Sequence, residues 1–292
     1  MKKILATSFS FIFLSALHCQ ADEGWTQLLD MTLSQWNTYL ATPNPDTPVA
    51  DLPKDAEGKY VRPLGHGRND RKVFSVNLVD GEPVLRISGE IYGSVYTRES
   101  FENYHLSLEF KWGSLKWEPR LDQELDSGIL YHANGEHGVD YWKAWALSQE
   151  FQIIEGSNGD WWQIAGSQID IRCEKPEGEE NYIYNPQAPF ISFGPGGADI
   201  HCRASHNAEK PDGEWNRLEL ITHGDKSLHI VNGEVVMALK NSRYTQADGK
   251  VVPLTKGQIL LQSEAGEVFF RRIKIRPIEA IPAIHQSHFA EH

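Results

Sequence analysis

The sequence predicts an all-β fold, an antiparallel β-sandwich or jelly roll. Short runs rich in Val, Ile, Tyr and Phe alternate with period two along the chain, and no long stretch keeps a helical period. Asn232-Gly233 and Asp80-Gly81 each separate two such runs, and both dipeptides favour tight hairpin turns. Many short strands joined by such turns are typical of antiparallel layers.

The predicted strands lie at residues 73–79, 84–88, 104–111, 128–132, 150–154, 217–222, 227–231, 234–239, 257–262 and 268–275. Four stretches lack this alternation, at residues 41–72, 113–126, 135–148 and 156–214, and are rich in Gly, Pro, Trp or charge. Loops of this length on a rigid sandwich are typical of functional sites. Neither a repeat nor a linker is evident. We therefore predict a single domain over 22–278 and a frayed tail over 279–292.

The first 21 residues are interpreted as a secretory signal peptide. Two lysines precede an apolar run at 4–17, which is shorter than the roughly 20 residues that a membrane span needs. The small residue Ala21 predicts cleavage before Asp22, with secretion or periplasmic export. Cys19 leaves open a lipoprotein alternative, although His18 before it is not small. Cleavage would change the net charge from -12 to -14, because Lys2 and Lys3 leave.

The composition excludes several classes of partner. A net charge of -12 argues against nucleic acid, which requires a basic surface. The chain has no phosphate loop or dinucleotide fingerprint, so no nucleotide cofactor is expected.

Two cysteines follow the leader, Cys173 and Cys202, both in the long irregular stretch. They form either a disulfide, as exported proteins allow, or two unpaired thiols.

The densest polar segment surrounds Glu150 and Gln152. On a strand, Glu150, Gln152 and Ile154 share one face, whereas Phe151 and Ile153 share the other and would pack in the core. A carboxyl beside an amide on a scaffold strand suits polar ligand recognition or general base catalysis. The alternative is an ordinary solvent-exposed polar face.

Other candidates are isolated in sequence. His132 and His229 each lie in a predicted strand, where a histidine is a structural residue, a general base or a metal ligand. Lys143 and Arg271 could polarise a carbonyl, or could form surface salt bridges. Glu155 is an odd number of positions from Glu150 and Gln152, so a regular strand would direct its side chain to the opposite face. This placement disfavours a plain two-carboxylate glycosidase.

Several tryptophans cluster near Glu150 in sequence: Trp142, Trp145, Trp161 and Trp162. Indole rings stack on the CH face of sugar rings while their N–H groups bond hydroxyls. The alternative is that they cap the sandwich. Composition alone does not separate the two interpretations.

Several short motifs follow one another along the chain: Gly24-Trp25-Thr26-Gln27-Leu28-Leu29-Asp30, Leu108-Glu109-Phe110-Lys111-Trp112, Asp126-Ser127-Gly128-Ile129, Glu150-Phe151-Gln152-Ile153-Ile154-Glu155, Gly213-Glu214-Trp215-Asn216, His229-Ile230-Val231-Asn232-Gly233 and Leu260-Leu261-Gln262. In this order, they resemble the motifs of the 3-keto-disaccharide hydrolase domain family, and the resemblance covers about residues 24–276. One departure is Ser263-Glu264-Ala265-Gly266, where many members have a His-Gly pair, and Glu264 is the candidate replacement for that histidine.

The resemblance implies a concanavalin A-like jelly roll that acts on glycosides oxidised to a ketone at C3. The ketone acidifies the C2 proton, a base removes it, and the aglycone leaves C1 by β-elimination. Water addition would make the reaction a net hydrolysis. On this basis we expect His229 or His132 as base, with Glu150 as a third catalytic residue.

The resemblance also suggests a substrate site and a metal site. We expect the substrate to contact Gln152, Glu155, Trp145, Trp161, Trp162, Lys143 and Arg271. A divalent metal (Ca, Mn or Zn) could be held by Glu150, His132 and Glu264, and would stabilise the enolate. Two other functions stay open: a non-catalytic glycan-binding module, and a conventional secreted glycoside hydrolase that uses Glu150 and Glu155 across a cleft.

Overall fold

Strands make up most of the regular structure in the computed structural model, which describes residues 24–140 and 143–290. They are β1 Thr26–Gln27, β2 Trp36–Leu40, β3 Gly65–His66, β4 Phe74–Val79, β5 Glu82–Ile87, β6 Gly93–Thr97, β7 Tyr104–Lys116, β8 Asp126–Asn134, β9 Leu147–Ile154, β10 Trp161–Ile164, β11 Ser167–Glu174, β12 Tyr182–Tyr184, β13 Phe190–Phe193, β14 His201–Arg203, β15 Asn216–His223, β16 Lys226–Val231, β17 Glu234–Thr245, β18 Val251–Pro253, β19 Gln258–Ser263 and β20 Gly266–Pro277. Short 3-10 helices span Asp70–Lys72 and Ala283–Phe289. The predicted signal peptide at 1–21, with Cys19, and Trp142 lie outside the described residues.

The strands form two antiparallel layers, so the predicted sandwich is confirmed. The larger layer has the order β4-β5-β20-β7-β15-β16-β17-β11-β13, with β1 beside β20 and β18 beside β17. The smaller layer has the order β3-β2-β6-β19-β8-β9-β10. A small sheet of β10, β14, β12 and β11 joins the two layers at one edge.

The main core lies between the layers. Phe110 and Phe270 come from the larger layer, and Ile129, Phe151 and Ile153 come from the smaller one. Burying side chains of this size stabilises a fold by about 1.5–3 kcal/mol each. Because strand side chains alternate, every second side chain of the smaller layer points outward, away from this core. This outer face carries the candidate site.

The two predicted hairpin turns are confirmed. Asn232 and Gly233 join β16 to β17 with φ of 51° and 89°, and Asp80 and Gly81 join β4 to β5 with φ of 50° and 83°. Positive φ at both central residues is the type I′ geometry, whose twist matches that of the flanking strands. Glycine at the second position meets this requirement without strain.

The structure differs from the sequence expectation in two regions. The stretch 156–214, expected to be irregular, contains β10 to β14. β10, β12, β13 and β14 have only three or four residues each, and only β11, with eight residues, shows a clear apolar alternation. The tail expected to fray at 279–292 instead packs down to residue 290, because Ile281 and Phe289 lie against a second apolar cluster. Tyr184 also hydrogen bonds to His288 at 3.2 Å.

Cys173 and Cys202 are both buried free thiols that contact each other. Burial, and then this contact, raise the pKa of the Cys202 thiol. No helix within residues 24–140 and 143–290 is long and apolar enough to span a membrane.

Candidate active site

The outer face of β19, β8 and β9 forms the floor of a polar site. Gly128 of β8 pairs with Gln152 of β9. On the other side of β8, Leu261 pairs with Ile129, and this register places Gln262 beside Gly128. Gln152, Gly128 and Gln262 therefore form one row across three strands, with side chains directed away from the core.

A cavity of about 540 Å³ opens above this floor. Its volume lies within the range of ligand pockets in proteins, roughly 300–1,000 Å³. The charged and amide side chains that line it are Arg120, Asp126, Asp140, Glu150, Gln152, Gln163, Gln262 and Glu264. The apolar side chains are Trp145, Ile154, Trp162, Ile164 and Ile200.

Gly128 makes the centre of the floor possible. A Cβ atom there would lie 2.1 Å from Gln262 Oε1 and 2.9 Å from Glu150 Oε1. Both distances are far shorter than van der Waals contact. Only glycine therefore lets the amide and the carboxyl approach each other above β8.

One guanidinium ties two carboxyls together. Arg120 lies 2.5 Å from Asp126, measured from Nη2 to Oδ2, and 3.4 Å from Glu264, measured from Nη1 to Oε1. Gln152 Nε2 donates to the other oxygen of Asp126 at 2.9 Å. Asp126 thus orients Arg120 and Gln152 at once, and it is 2% exposed.

Burial shifts the acidity of this cluster. It raises the pKa of Glu264 to about 7, although the adjacent Arg120 opposes the shift. Burial, and then the charge of Glu264, raise the pKa of Glu150 well above its ordinary range. The same two causes raise the pKa of Asp126, against the pull of Arg120. Three buried carboxyls with raised pKa values therefore share the cavity, and enzymes use such shifts to hold a carboxyl as a general acid or base.

Two amide oxygens are poised for a ligand. Gln152 Oε1 and Gln262 Oε1 are buried and have no hydrogen-bond partner among the described residues. An unpaired buried acceptor costs about 1–3 kcal/mol, so native structures rarely keep one without a reason. Hydroxyl groups of a ligand in the cavity would satisfy both.

A comparison with models of protein families identifies the family of this chain. Residues 24–276 match the 3-keto-alpha-glucoside-1,2-lyase-like domain model. The chain belongs to this family. The resemblance predicted from the sequence is thereby confirmed, and so is the carbohydrate-active class.

Among solved structures, two similar chains are candidate glycosyl hydrolases from Parabacteroides distasonis ATCC 8503. One is 22% identical and covers 87% of this chain and 99% of its own, with a TM-score of 0.45. The other is 17% identical and covers 88% and 95%, also at 0.45. SCLam, a non-specific endo-beta-1,3(4)-glucanase of family GH16, is 12% identical and covers 86% and 91%, at 0.41. No curated protein matches the sequence.

In this family member, the cavity brings together part of the predicted site. Glu150, Gln152, Glu264, Trp145 and Trp162 all line it. Trp145 is 2% exposed and stacks on Tyr92 in a small apolar cluster over the outer face, so it closes one end of the cavity.

The two predicted histidine bases lie elsewhere, fully buried between the layers. His229 donates from Nδ1 to the carbonyl of Gly159 and stacks on Phe151 at 4.2 Å. Burial lowers the pKa of His229 to about 3. His132 donates to the carbonyl of Leu254, and burial lowers its pKa to about 4. Neither residue lines the cavity. His229 belongs to the larger layer, and His132 lies at a bulge of β8 with φ of 55°, which turns its side chain away from the outer face that carries Glu150.

Four predicted substrate contacts also lie outside the cavity. Trp161 is fully buried in the second apolar cluster. Glu155 accepts from the backbone N–H of Leu125 and lines a different depression. Arg271 pairs with Glu109 at 2.7 Å on the outer face of the larger layer. Lys143 is exposed and is not among the lining residues.

The predicted metal set does not fit a divalent ion. His132 is separated from Glu150 and Glu264 by the smaller layer. In the described part of the chain, no group of three or more His, Cys, Asp or Glu side chains is placed to hold a metal. The positive charge beside the carboxyls comes from Arg120 instead.

Sequence reasoning missed Arg120, Asp126 and Gln262 as site residues. Asp126 and Gln262 were visible only as parts of family motifs. Gln262 lies two residues before Glu264, and this spacing places both on one strand face. Arg120 lies in an irregular segment, where periodicity gives no signal.

Proposed function

We propose that the chain is an exported enzyme that cleaves glycosides oxidised to a ketone at C3, by removing the C2 proton and expelling the aglycone from C1. The observation that carries the proposal is Glu264. It is a buried carboxyl with a pKa near 7, in a cavity of a family described as 3-keto-alpha-glucoside-1,2-lyase-like. A base of this pKa suits a proton that is acidified by a neighbouring ketone.

The catalytic roles are assigned from the positions of the side chains around the cavity. Glu264 takes the C2 proton, and the electron pair moves onto the C3 oxygen as an enolate. Arg120, 3.4 Å from Glu264, stabilises this oxyanion. The enolate then collapses, re-forming the ketone and a C1=C2 double bond while the C1–O bond breaks. Glu150, whose raised pKa keeps it protonated, donates its proton to the departing oxygen. Addition of water to the product completes a net hydrolysis.

The amide oxygens of Gln152 and Gln262 position the sugar ring. Both are buried at the cavity floor, between Glu150 and Glu264. Each accepts a ring hydroxyl in the bound state. The step needs no metal ligand set, since the guanidinium supplies the cation.

The test is the release of aglycone from a 3-keto-glucoside and from the parent glucoside, by wild type, Glu264→Gln and Glu150→Gln. We expect release only from the keto substrate, with exchange of the C2 proton for solvent deuterium that Glu264→Gln abolishes. Excess EDTA is expected to leave the rate unchanged within about two-fold, because Arg120 occupies the cation position. Release from the parent glucoside would overturn the elimination mechanism.

One alternative enzyme is weakened by the geometry. A conventional glycosidase based on Glu150 and Glu155 needs both carboxyls across one cleft, about 5–9.5 Å apart. Glu155 instead caps the backbone of Leu125 outside the cavity. Binding of glycans without turnover of either substrate would favour the other alternative, a non-catalytic binding module.

Export forms part of the proposal. The basic start, the apolar run at 4–17 and Ala21 support a cleaved leader. A mature form beginning at Asp22 in the culture medium or periplasmic fraction, identified by intact mass, would support it. Retention of residues 1–21, or a lipid-modified Cys19, would contradict this form of export.

A further inference from the structure

One side of the cavity is formed by an apolar wall, which consists of Trp162, Ile164 and Ile200. Gln163 of β10 pairs with Gln149 of β9. The strands keep this register further along, because the backbone N–H of Gln152 donates to the carbonyl of Asp160. Trp162 is therefore the direct neighbour of Glu150 on the next strand. The wall begins beside the carboxyl that we assign as the acid for the departing oxygen.

The ring of Trp162 is held in place from behind. His201 stacks on it with ring centroids 3.9 Å apart and planes within 14°. His201 Nε2 lies 3.0 Å from Asp160 Oδ2, and the other oxygen of Asp160 accepts the backbone N–H of Ala204 at 2.8 Å. Both Asp160 and His201 are buried. This bracing fixes the indole without using the surface that lines the cavity.

The wall offers few hydrogen-bonding groups to a ligand. Ile200 lines the cavity but is 53% exposed, which is a large apolar exposure at the mouth of a pocket. Ile164 presents only aliphatic carbon. Among the described lining residues, Gln163 and Asp140 are the polar side chains on this side, and one oxygen of Asp140 already accepts the backbone N–H of Ala165. A second sugar ring would place several hydroxyls against these groups and leave them poorly bonded, whereas a flat apolar ring would lose nothing.

We propose that the wall binds an aromatic aglycone, so that the preferred substrates are aryl 3-keto-glycosides rather than keto-disaccharides. The inference rests on the proposed function. The keto sugar lies over Gly128 between Glu264 and Glu150, with Arg120 beside Glu264, and the aryl ring lies against Trp162. Glu150 then stands at the junction, where the oxygen between sugar and aryl group accepts its proton. Asp160 and His201 act as positioning residues for Trp162.

The test measures binding first, with unoxidised ligands. Phenyl glucoside and a glucosyl-glucose are titrated into the full chain, with tryptophan fluorescence and calorimetry as readouts. We expect phenyl glucoside to bind the wild type more tightly than the glucosyl-glucose does. Trp162→Ala should raise the Kd of phenyl glucoside about ten-fold and change the Kd of the disaccharide less than about two-fold. His201→Ala should reproduce much of this loss, and His201→Phe should restore binding because it keeps the stacked ring. Trp215→Ala, on the outer face of the larger layer, is the matched control.

Turnover of the two keto substrates then completes the test. Phenol is intrinsically the better leaving group, so the informative quantity is the ratio of kcat/KM between wild type and Trp162→Ala for each substrate. A larger ratio for the aryl substrate supports the inference. Equal ratios, or tighter disaccharide binding, would overturn it and make the wall a second sugar subsite. Aryl selectivity in binding with no turnover would overturn the proposed function while leaving the aromatic specificity of the wall intact.

Discussion

The sharpest prediction concerns the pH dependence set by Glu264. This carboxyl is buried and lines the cavity, its pKa is raised to about 7, and Arg120 lies 3.4 Å away. A general base works only when ionised, so kcat/KM should rise as the pH passes through this value. With a pKa of 7, the ionised fraction is about one tenth at pH 6 and about nine tenths at pH 8. The structure therefore predicts a roughly ten-fold increase in kcat/KM across that interval.

The high-pH side depends on Glu150. Its pKa is raised well above its ordinary value, so it keeps its proton while Glu264 loses one. We expect a plateau above about pH 8 and a fall only when Glu150 itself ionises. The assay is the release of phenol from a phenyl 3-keto-glucoside at subsaturating concentration, with buffers matched in ionic strength.

The variant Glu264→Gln removes the proposed base and keeps the shape of the side chain. Loss of a positioned base costs about 10²–10⁴-fold in rate, and the residual activity should no longer rise between pH 6 and pH 8. Glu102→Gln is the control, because Glu102 is an exposed carboxyl that pairs with Lys256 and does not line the cavity. A rise with the same midpoint in Glu264→Gln would refute the assignment, as would a wild-type profile that is flat over this range.

Three further outcomes follow from the same structure. Gly128→Ala should lower kcat/KM by about a hundred-fold, because its Cβ would lie 2.1 Å from Gln262 Oε1 and force the floor apart; wild-type kinetics would contradict this. Because the pKa of Glu264 is higher in the folded chain than its usual 4.5, the folded state binds more protons between pH 4.5 and pH 7. Stability should therefore fall with rising pH over that window, and Glu264→Gln should gain up to about 3 kcal/mol over wild type at pH 8, less the lost pairing with Arg120, in urea unfolding. His229→Phe should lower the melting temperature but leave the pH midpoint near 7, since His229 packs on Phe151 between the layers; a shifted midpoint would implicate it in the chemistry.

The fold could be predicted largely from alternation. Each of the ten predicted strands corresponds to an observed one, with differences at the ends, because antiparallel strands with one buried face repeat with period two. The small strands β12 and β14 could not be predicted. Their three residues each are stabilised by pairing with distant segments, and this pairing leaves no periodic signal.

The same alternation explains why the site was predicted only in part. Glu150 and Gln152 share a strand with Phe151 and Ile153, so the apolar pair identified the core side and the polar pair identified the cavity side. For His229 this reasoning was insufficient. Both faces of β16 are buried, one against the main core and one against the second cluster, where Leu228 packs. A histidine on such a strand is buried on either face, and its neighbours do not show which face a ligand could reach.

The chemistry of the cavity depends on residues brought together from separate strands and a loop. Arg120 precedes β8 and meets Glu264, 144 positions later, just after β19. Without the guanidinium, three buried carboxyls in one cavity would mostly stay protonated and could not supply a base. With it, one carboxyl titrates near neutrality while Glu150 keeps its proton. Arg120→Gln should therefore move the pH midpoint upward as well as slow turnover, whereas a residue that only stabilised the enolate would slow turnover at an unchanged midpoint. This difference separates the electrostatic role of Arg120 in tuning Glu264 from its role in the transition state.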